Sequence, residues 1–269
     1  MKIAKRMLLT LMSAMMIGGS GCGVDNANNK AIQKEKPTLN EWQKEFLAEQ
    51  ELPTEYSELS AGQQSSVKRI YEMIMYLEDK YGVTFEYTGY VRPQILENEY
   101  LTAIPKGGNE KTDTVTVTCE DDGTFTDDYP NVAVRPYYEQ MITDYVEEYF
   151  DSDKVRVFSE VTETSIEDFN DISEEKMTGD VHGNSIVFIS NDICTENEIE
   201  EFASIFAEWT KEKCLVNYTQ FMLLYNPDIE ELNPNKYSDY YSKNNIKVRL
   251  TCHVRSDGRV TITNDKLYY

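Results

Sequence analysis

Ile246-Lys247-Val248-Arg249-Leu250-Thr251-Cys252-His253-Val254 alternates apolar and polar residues without a break. That two-residue period belongs to a strand with one buried face. Asp257-Gly258 supplies a tight turn, and Val260 and Ile262 resume the alternation, so the stretch predicts a β-hairpin. A strand that folds straight back makes an antiparallel sheet, which does not need two covered faces as a parallel sheet does.

A second stretch has the same form further back in the chain. Val115, Val117 and Cys119 alternate over residues 113–119, Asp121-Asp122-Gly123 marks a turn, and a short return strand follows. Helices surround these hairpins. Val67, Ile70, Tyr71, Ile74, Leu77 and Tyr81 recur at three- and four-residue steps and predict a helix over Ser66–Tyr81, stopped by Gly82. Leu39–Leu52 is amphipathic, with Asn40 as its cap, Trp42, Phe46 and Leu47 on one face, and Pro53 at its end. Pro136 is expected to open a further helix whose inner face holds Met141, Ile142, Tyr145, Val146 and Tyr149. Thr195 and Glu198 form a capping box for a helix running to about Lys213. Residues 84–91, Val155–Val161, Ser185–Ser190 and Val216–Tyr225 read as strands.

The fold class is therefore α+β, with antiparallel sheets and packed helices. Helix, strand, Thr-Cys strand end, Asp-Gly turn and return strand occur twice in the same order, offset by roughly 130 residues, as two related α-β-β-β units would be. The expected division is residues 1–21 as a signal peptide, 22–38 as an acylated cysteine and tether, 39–153 as the first unit and 154–269 as the second.

The amino-terminal segment carries the strongest single signal. Lys2, Lys5 and Arg6 precede an apolar run from Met7 to Ile17, and Gly18-Gly19-Ser20-Gly21 leads into Cys22. The run is too short for a membrane span and suits a signal peptide. The approach to Cys22 resembles the lipobox of bacterial lipoproteins, although Gly19 stands where Leu is usual. The resemblance implies diacylglyceryl attachment to Cys22 and a protein held on the extracytoplasmic face of the cell membrane. Two acyl chains suffice for stable anchoring where one does not. Gly23–Thr38 is polar and aperiodic, a tether reaching roughly 20–25 Å.

Composition narrows the partners. The chain carries 48 acidic against 26 basic residues, a formal charge of −22, and the signal peptide takes three of the basic ones. Nucleic acid is excluded for want of a basic stripe. A protein, a cationic peptide, a wall component or Ca²⁺ remains compatible. Tyrosine is the leading aromatic, 19 against ten Phe and two Trp, and its ring with a polar tip suits recognition surfaces as well as core edges.

No catalytic grouping, metal-ligand spacing or cofactor loop emerges, so no catalytic residue, metal ligand or cofactor is assigned. The alternative reading is a cell-wall hydrolase using carboxylates or His182, which is expected in a glycine-containing loop, Thr178-Gly179-Asp180-Val181-His182-Gly183-Asn184. His253 points away from its neighbour Cys252 along a strand and cannot pair with it. Glu120, Asp121, Asp122, Asp127 and Asp128 crowd the first hairpin without the ligand order of an EF-hand. Cys119, Cys194, Cys214 and Cys252 admit three disulfide connectivities, and at most one bridge is expected.

Tyr76-Leu77-Glu78-Asp79-Lys80-Tyr81-Gly82-Val83-Thr84-Phe85, joined to Asp127-Asp128-Tyr129 and the helix after it, resembles uncharacterised lipoproteins of clostridia-like Gram-positive bacteria. The likeness covers mainly residues 40–160. It implies the localisation and an α+β fold, and brings no activity and no site residues. The function expected is that of a membrane-anchored, non-catalytic binding or interaction protein of the cell surface.

Overall fold

Asn40 and Gln43 exchange hydrogen bonds across the first turn of helix α1 (Glu41–Glu49), satisfying two backbone N–H groups that a helix start otherwise leaves open. Ser60 and Gln63 repeat the arrangement at α2 (Ala61–Tyr81). This box starts α2 five residues before the apolar periodicity begins, which is why periodicity alone places the start at Ser66. At its other end Gly82 takes the left-handed conformation, φ 67°. The structure, a computed structural model, describes residues 37–94, 98–150, 152–169, 171–225, 229–241 and 245–265. Cys22 and the segment around it lie outside the described residues.

Four strands follow α2: β1 (Phe85–Val91), β2 (Glu99–Pro105), β3 (Val115–Cys119) and β4 (Phe125–Asp127). They pair antiparallel in chain order. Leu101, Ala103, Val115 and Val117 turn inward and pack beneath Val67, Ile70, Met73, Ile74 and Leu77 of α2, with Phe46 and Leu47 of α1. Strand β2 has no counterpart in the sequence reading. Its first inward residue is Glu99, which breaks the apolar alternation that marks a strand.

Helix α3 spans Tyr129–Phe150 with Pro136 inside it, a correction to the expected start at Pro136. Pro130 is the proline that sits in the first turn, where a fixed φ and a missing N–H do no harm. Pro136 offers no N–H to the Val132 carbonyl, a defect of about 3 kcal/mol in an isolated helix. The buried side chains on both sides of it, Val134 and Tyr138 first, hold the helix through the defect.

The second sheet has five strands: β5 (Val155–Glu163), β6 (His182–Ser190), β7 (Val216–Leu224), β8 (Ile246–Val254) and β9 (Val260–Asp265), in that order. All neighbours are antiparallel except β6 and β7. The parallel step follows from α5 (Glu196–Glu212), a crossover helix that returns the chain to the same end of the sheet. A short helix, α4 (Glu174–Met177), precedes β6. Helices α3 and α5 cover one face, where Tyr138, Phe202, Phe206, Phe221 and Leu250 are buried. On the other face, residues 229–241 fold over one end only, burying Phe188, Met222 and Leu224 beneath Ile229 and Leu232.

The fold is α+β with antiparallel-rich sheets. Both hairpins expected from the sequence are present, as β3–β4 and β8–β9. The strands leading to them differ, because β2 stands between β1 and β3 whereas β7 pairs directly with β8. Helix α3 precedes residue 154 yet buries its inner face in the second sheet's core.

Candidate functional site

Strand β5 is an edge of its sheet, and its outward N–H groups need partners other than β6. Glu139 of α3 answers one of them. Its carboxylate accepts from the Ser159 N–H at 2.7 Å and faces Arg135 one helical turn back at 3.5 Å. Arg135 in turn donates to Asp113 at 2.9 Å. Asp113 is fixed by accepting from the Asn109 N–H at 2.7 Å. The loop after β2, helix α3 and strand β5 are thus joined through one guanidinium.

Beside this chain of contacts lies a cleft of about 370 Å³, within the range of small-molecule sites. The loop contributes Lys111, Thr112 and Thr114, the start of α3 contributes Asn131 and Arg135, and the two strands contribute Ser159, Glu160, Asn184 and Ser185. Tyr237 closes it and stacks on Phe158, with 4.7 Å between ring centroids and 17° between planes. Arg135 is only 13% exposed, and among the described residues its Nε is buried with no hydrogen-bond partner. Such a donor is costly to leave unmet.

The floor of the cleft is polar because β5 and β6 carry serines at inward positions. Ser159 and Ser185 oxygens lie 2.9 Å apart. Behind them the buried Tyr138 hydroxyl accepts from Asn217, whose own carbonyl accepts from Thr219. Burial pushes the Tyr138 phenol up to about 12, against the pull of its bonds to Asn217 and Ser185, so it stays neutral at physiological pH. Burial also raises the Glu139 carboxyl, opposed by the Ser159 N–H and Arg135. The Asp128 carboxyl at the cleft edge is raised by burial too, opposed chiefly by the Thr116 N–H. Hydroxyls, amides, one guanidinium and an aromatic wall can hold a polar ligand by hydrogen bonds and ring contact. Among the described residues no histidine lines the cleft.

His182 is the first residue of β6 rather than part of a glycine loop, a correction that follows from the pairing of Glu163 with His182 and of Val161 with Gly183. Its Nδ1 stands 2.9 Å from the largely exposed Glu163 carboxylate. His253 lies in β8 with its ring edge on Tyr218, while Cys252 is buried on the opposite face. The acidic residues of the first hairpin are separated by their partners. Glu120 and Asp122 bind hydroxyls of Thr126 and Thr124, Asp128 accepts from the Thr116 N–H, and Asp127 turns inward to Lys80, Tyr76 and Tyr81. The four cysteines are free thiols. Burial pushes Cys194 and Cys252 up to about 12, and Cys119 accepts from Arg69 at 3.0 Å.

Of the cleft residues the sequence singles out Asp128 alone, and that as part of the acidic first hairpin. One signal was present: Ser159 and Ser185 fall at inward positions of readable strands, where a polar side chain needs a partner.

No protein-family model matches the chain, and no curated protein matches it. The crystal structure of a DUF5037 family protein from Ruminococcus gnavus ATCC 29149, at 2.55 Å resolution, aligns with a TM-score of 0.38 and 17% identity. The alignment covers 69% of this chain and 90% of that one.

Proposed function

We propose that this chain is a membrane-anchored extracytoplasmic lipoprotein that binds a polar component of its surroundings in the cleft beside β5 without transforming it. The anchor is diacylglyceryl on Cys22, and the ligand class that fits is a wall fragment bearing hydroxyl and amide groups. The observation that carries the reading is the cleft lining: hydroxyls, amides and the unmet Arg135 Nε, with both histidines elsewhere. Among the described residues no helix is long and apolar enough to cross a membrane.

Two measurements test it on the full-length protein. Cys22→Ala is expected to abolish fatty-acid incorporation and to move the protein out of the membrane fraction. A variant that stays fully membrane-bound would refute the anchor. Soluble wall fragments titrated by calorimetry are expected to bind saturably, and Tyr237→Ala with Asn184→Ala to weaken that binding about tenfold, as loss of a central aromatic contact does. If the fragments are instead cleaved and His182→Ala stops the cleavage, the hydrolase reading takes its place.

A further inference from the structure

Helices α3 and α5 cover the second sheet, and along the seam between them a strip of aromatic rings is only half-buried. Tyr145 stacks on Trp209, 4.1 Å between centroids and 13° between planes. Further along both helices Tyr149 packs on the buried Phe202 at 4.5 Å. Tyr149 is 38% exposed and Ile205, on the same side of α5, is 40% exposed. Half-buried Tyr145 and Trp209 join the exposed Tyr149 and Ile205 on this side of the two helices, and apolar surface that is grouped rather than scattered marks interaction sites.

The rim of the strip is acidic. Glu212 and Glu148 lie near enough to Tyr145 to raise its phenol further after burial has done so, and Glu201 does the same at Tyr149. From Tyr137 to its end α3 has no lysine or arginine, and its last turn has none. Its final carbonyls already carry partial negative charge, so Glu147 and Glu148 there oppose the helix dipole. On α5 the one basic residue, Lys211, is 3.6 Å from Glu208. A face built only for solubility needs the carboxylates but not the rings.

We infer that the α3–α5 face is a docking surface for a basic, amphipathic segment of another protein, independent of the cleft. Apolar side chains of the segment sit on Tyr149 and Ile205. Its lysines and arginines reach Glu148, Glu201 and the end of α3, with a cation also attracted by the ring faces. Charge complementarity of this kind speeds encounter and selects the partner's sign.

The chain has two tryptophans, Trp42 and Trp209, so a Trp42→Phe form of the full-length protein leaves one reporter inside the strip. Titration with a twelve-residue Leu/Arg amphipathic peptide is expected to change Trp209 emission saturably. The same peptide with Glu for Arg is expected to leave the emission unchanged. Tyr149→Ala with Ile205→Ser is expected to weaken binding about tenfold, as is Glu148→Lys with Glu201→Lys. Thermal melts identify any variant that has lost its fold. Binding that ignores the Tyr149/Ile205 pair would be general charge attraction and would overturn the inference. So would the absence of a saturable signal, or equal binding of the Glu peptide.

Discussion

Asp127→Ala is expected to lower stability by about 3–5 kcal/mol, the cost of removing one partner from a buried ion pair. The Asp127 side chain is fully buried. One oxygen accepts from Lys80 Nζ and the Tyr76 hydroxyl, both at 2.8 Å. The other accepts from the Tyr81 hydroxyl at 2.7 Å and the Tyr129 N–H at 3.1 Å. One carboxylate therefore fastens the end of α2 to the end of β4 and the start of α3. Alanine strips two phenols, an ammonium and a helix N–H of their acceptor at once. Lys80 is 45% exposed, so water recovers part of its loss and the lower half of the range is favoured. Asp127→Asn keeps one acceptor but turns an NH₂ toward donors, and should cost about 2 kcal/mol.

The same group carries a pH signature. Burial pushes the Asp127 carboxyl up, but hydrogen bonds from Lys80, Tyr81 and Tyr76 outweigh it and hold the carboxyl below its usual value. A depressed folded pKa gives stability that is complete above the unfolded value, about 3.9, and is lost as pH falls through the folded value. Urea melts of wild type and Asp127→Ala should thus differ most near pH 7 and converge below about pH 4. A loss under about 1 kcal/mol at pH 7, or a gap that does not shrink in acid, would show that this carboxylate is not the tie described.

What could be read in the sequence was set by local rules. The β8–β9 hairpin was legible because alternation and an Asp-Gly turn agree with each other over one short stretch. The α5 start was legible because Thr195 and Glu198 act within one helical turn. Strand β2 was not, because the inward Glu99 is held by Tyr90 and by Arg69, thirty residues away, which binds it through two nitrogens. The parallel pairing of β6 with β7 depends on where α5 returns the chain, which no residue in either strand encodes. The cleft is harder still: Arg135, Ser159, Asn184 and Tyr237 come from four separate segments. Each looks ordinary in its own stretch, and only the packing of α3 on an edge strand brings them together. Tyrosine abundance pointed toward recognition surfaces, yet many of the rings are spoken for internally. Tyr129 and Tyr138 are buried, and Tyr76, Tyr81 and Tyr90 serve as hydrogen-bond donors to buried carboxylates.

Gly183→Ala should cost about 3 kcal/mol, far more than its size suggests, and should damage the cleft as it does so. A Cβ at Gly183 would stand 2.5 Å from Tyr138 Cε1, 2.7 Å from Cζ and 2.9 Å from the Glu160 carbonyl. None of these can easily retreat. The Tyr138 ring is fully enclosed and its hydroxyl is held by Asn217, while Glu160 belongs to the strand paired with β6. The overlap must then be relieved by moving β5 from β6 or α3 from the sheet. Either movement separates Ser159 from Ser185, or Glu139 from the Ser159 N–H, so wall-fragment binding should weaken along with stability. Gly82→Ala is the proper contrast. Gly82 has φ 67° and open space around its Cβ position, so only backbone strain is added, about 1 kcal/mol. Chemical denaturation of the two variants separates a glycine required by packing from one required by conformation. Adding Tyr138→Leu should rescue part of the loss in Gly183→Ala and none of it in Gly82→Ala, with a coupling of at least about 1 kcal/mol between the first pair. Equal costs for the two glycines, or no coupling to Tyr138, would mean that β5, β6 and α3 are not locked together in the way the cleft requires.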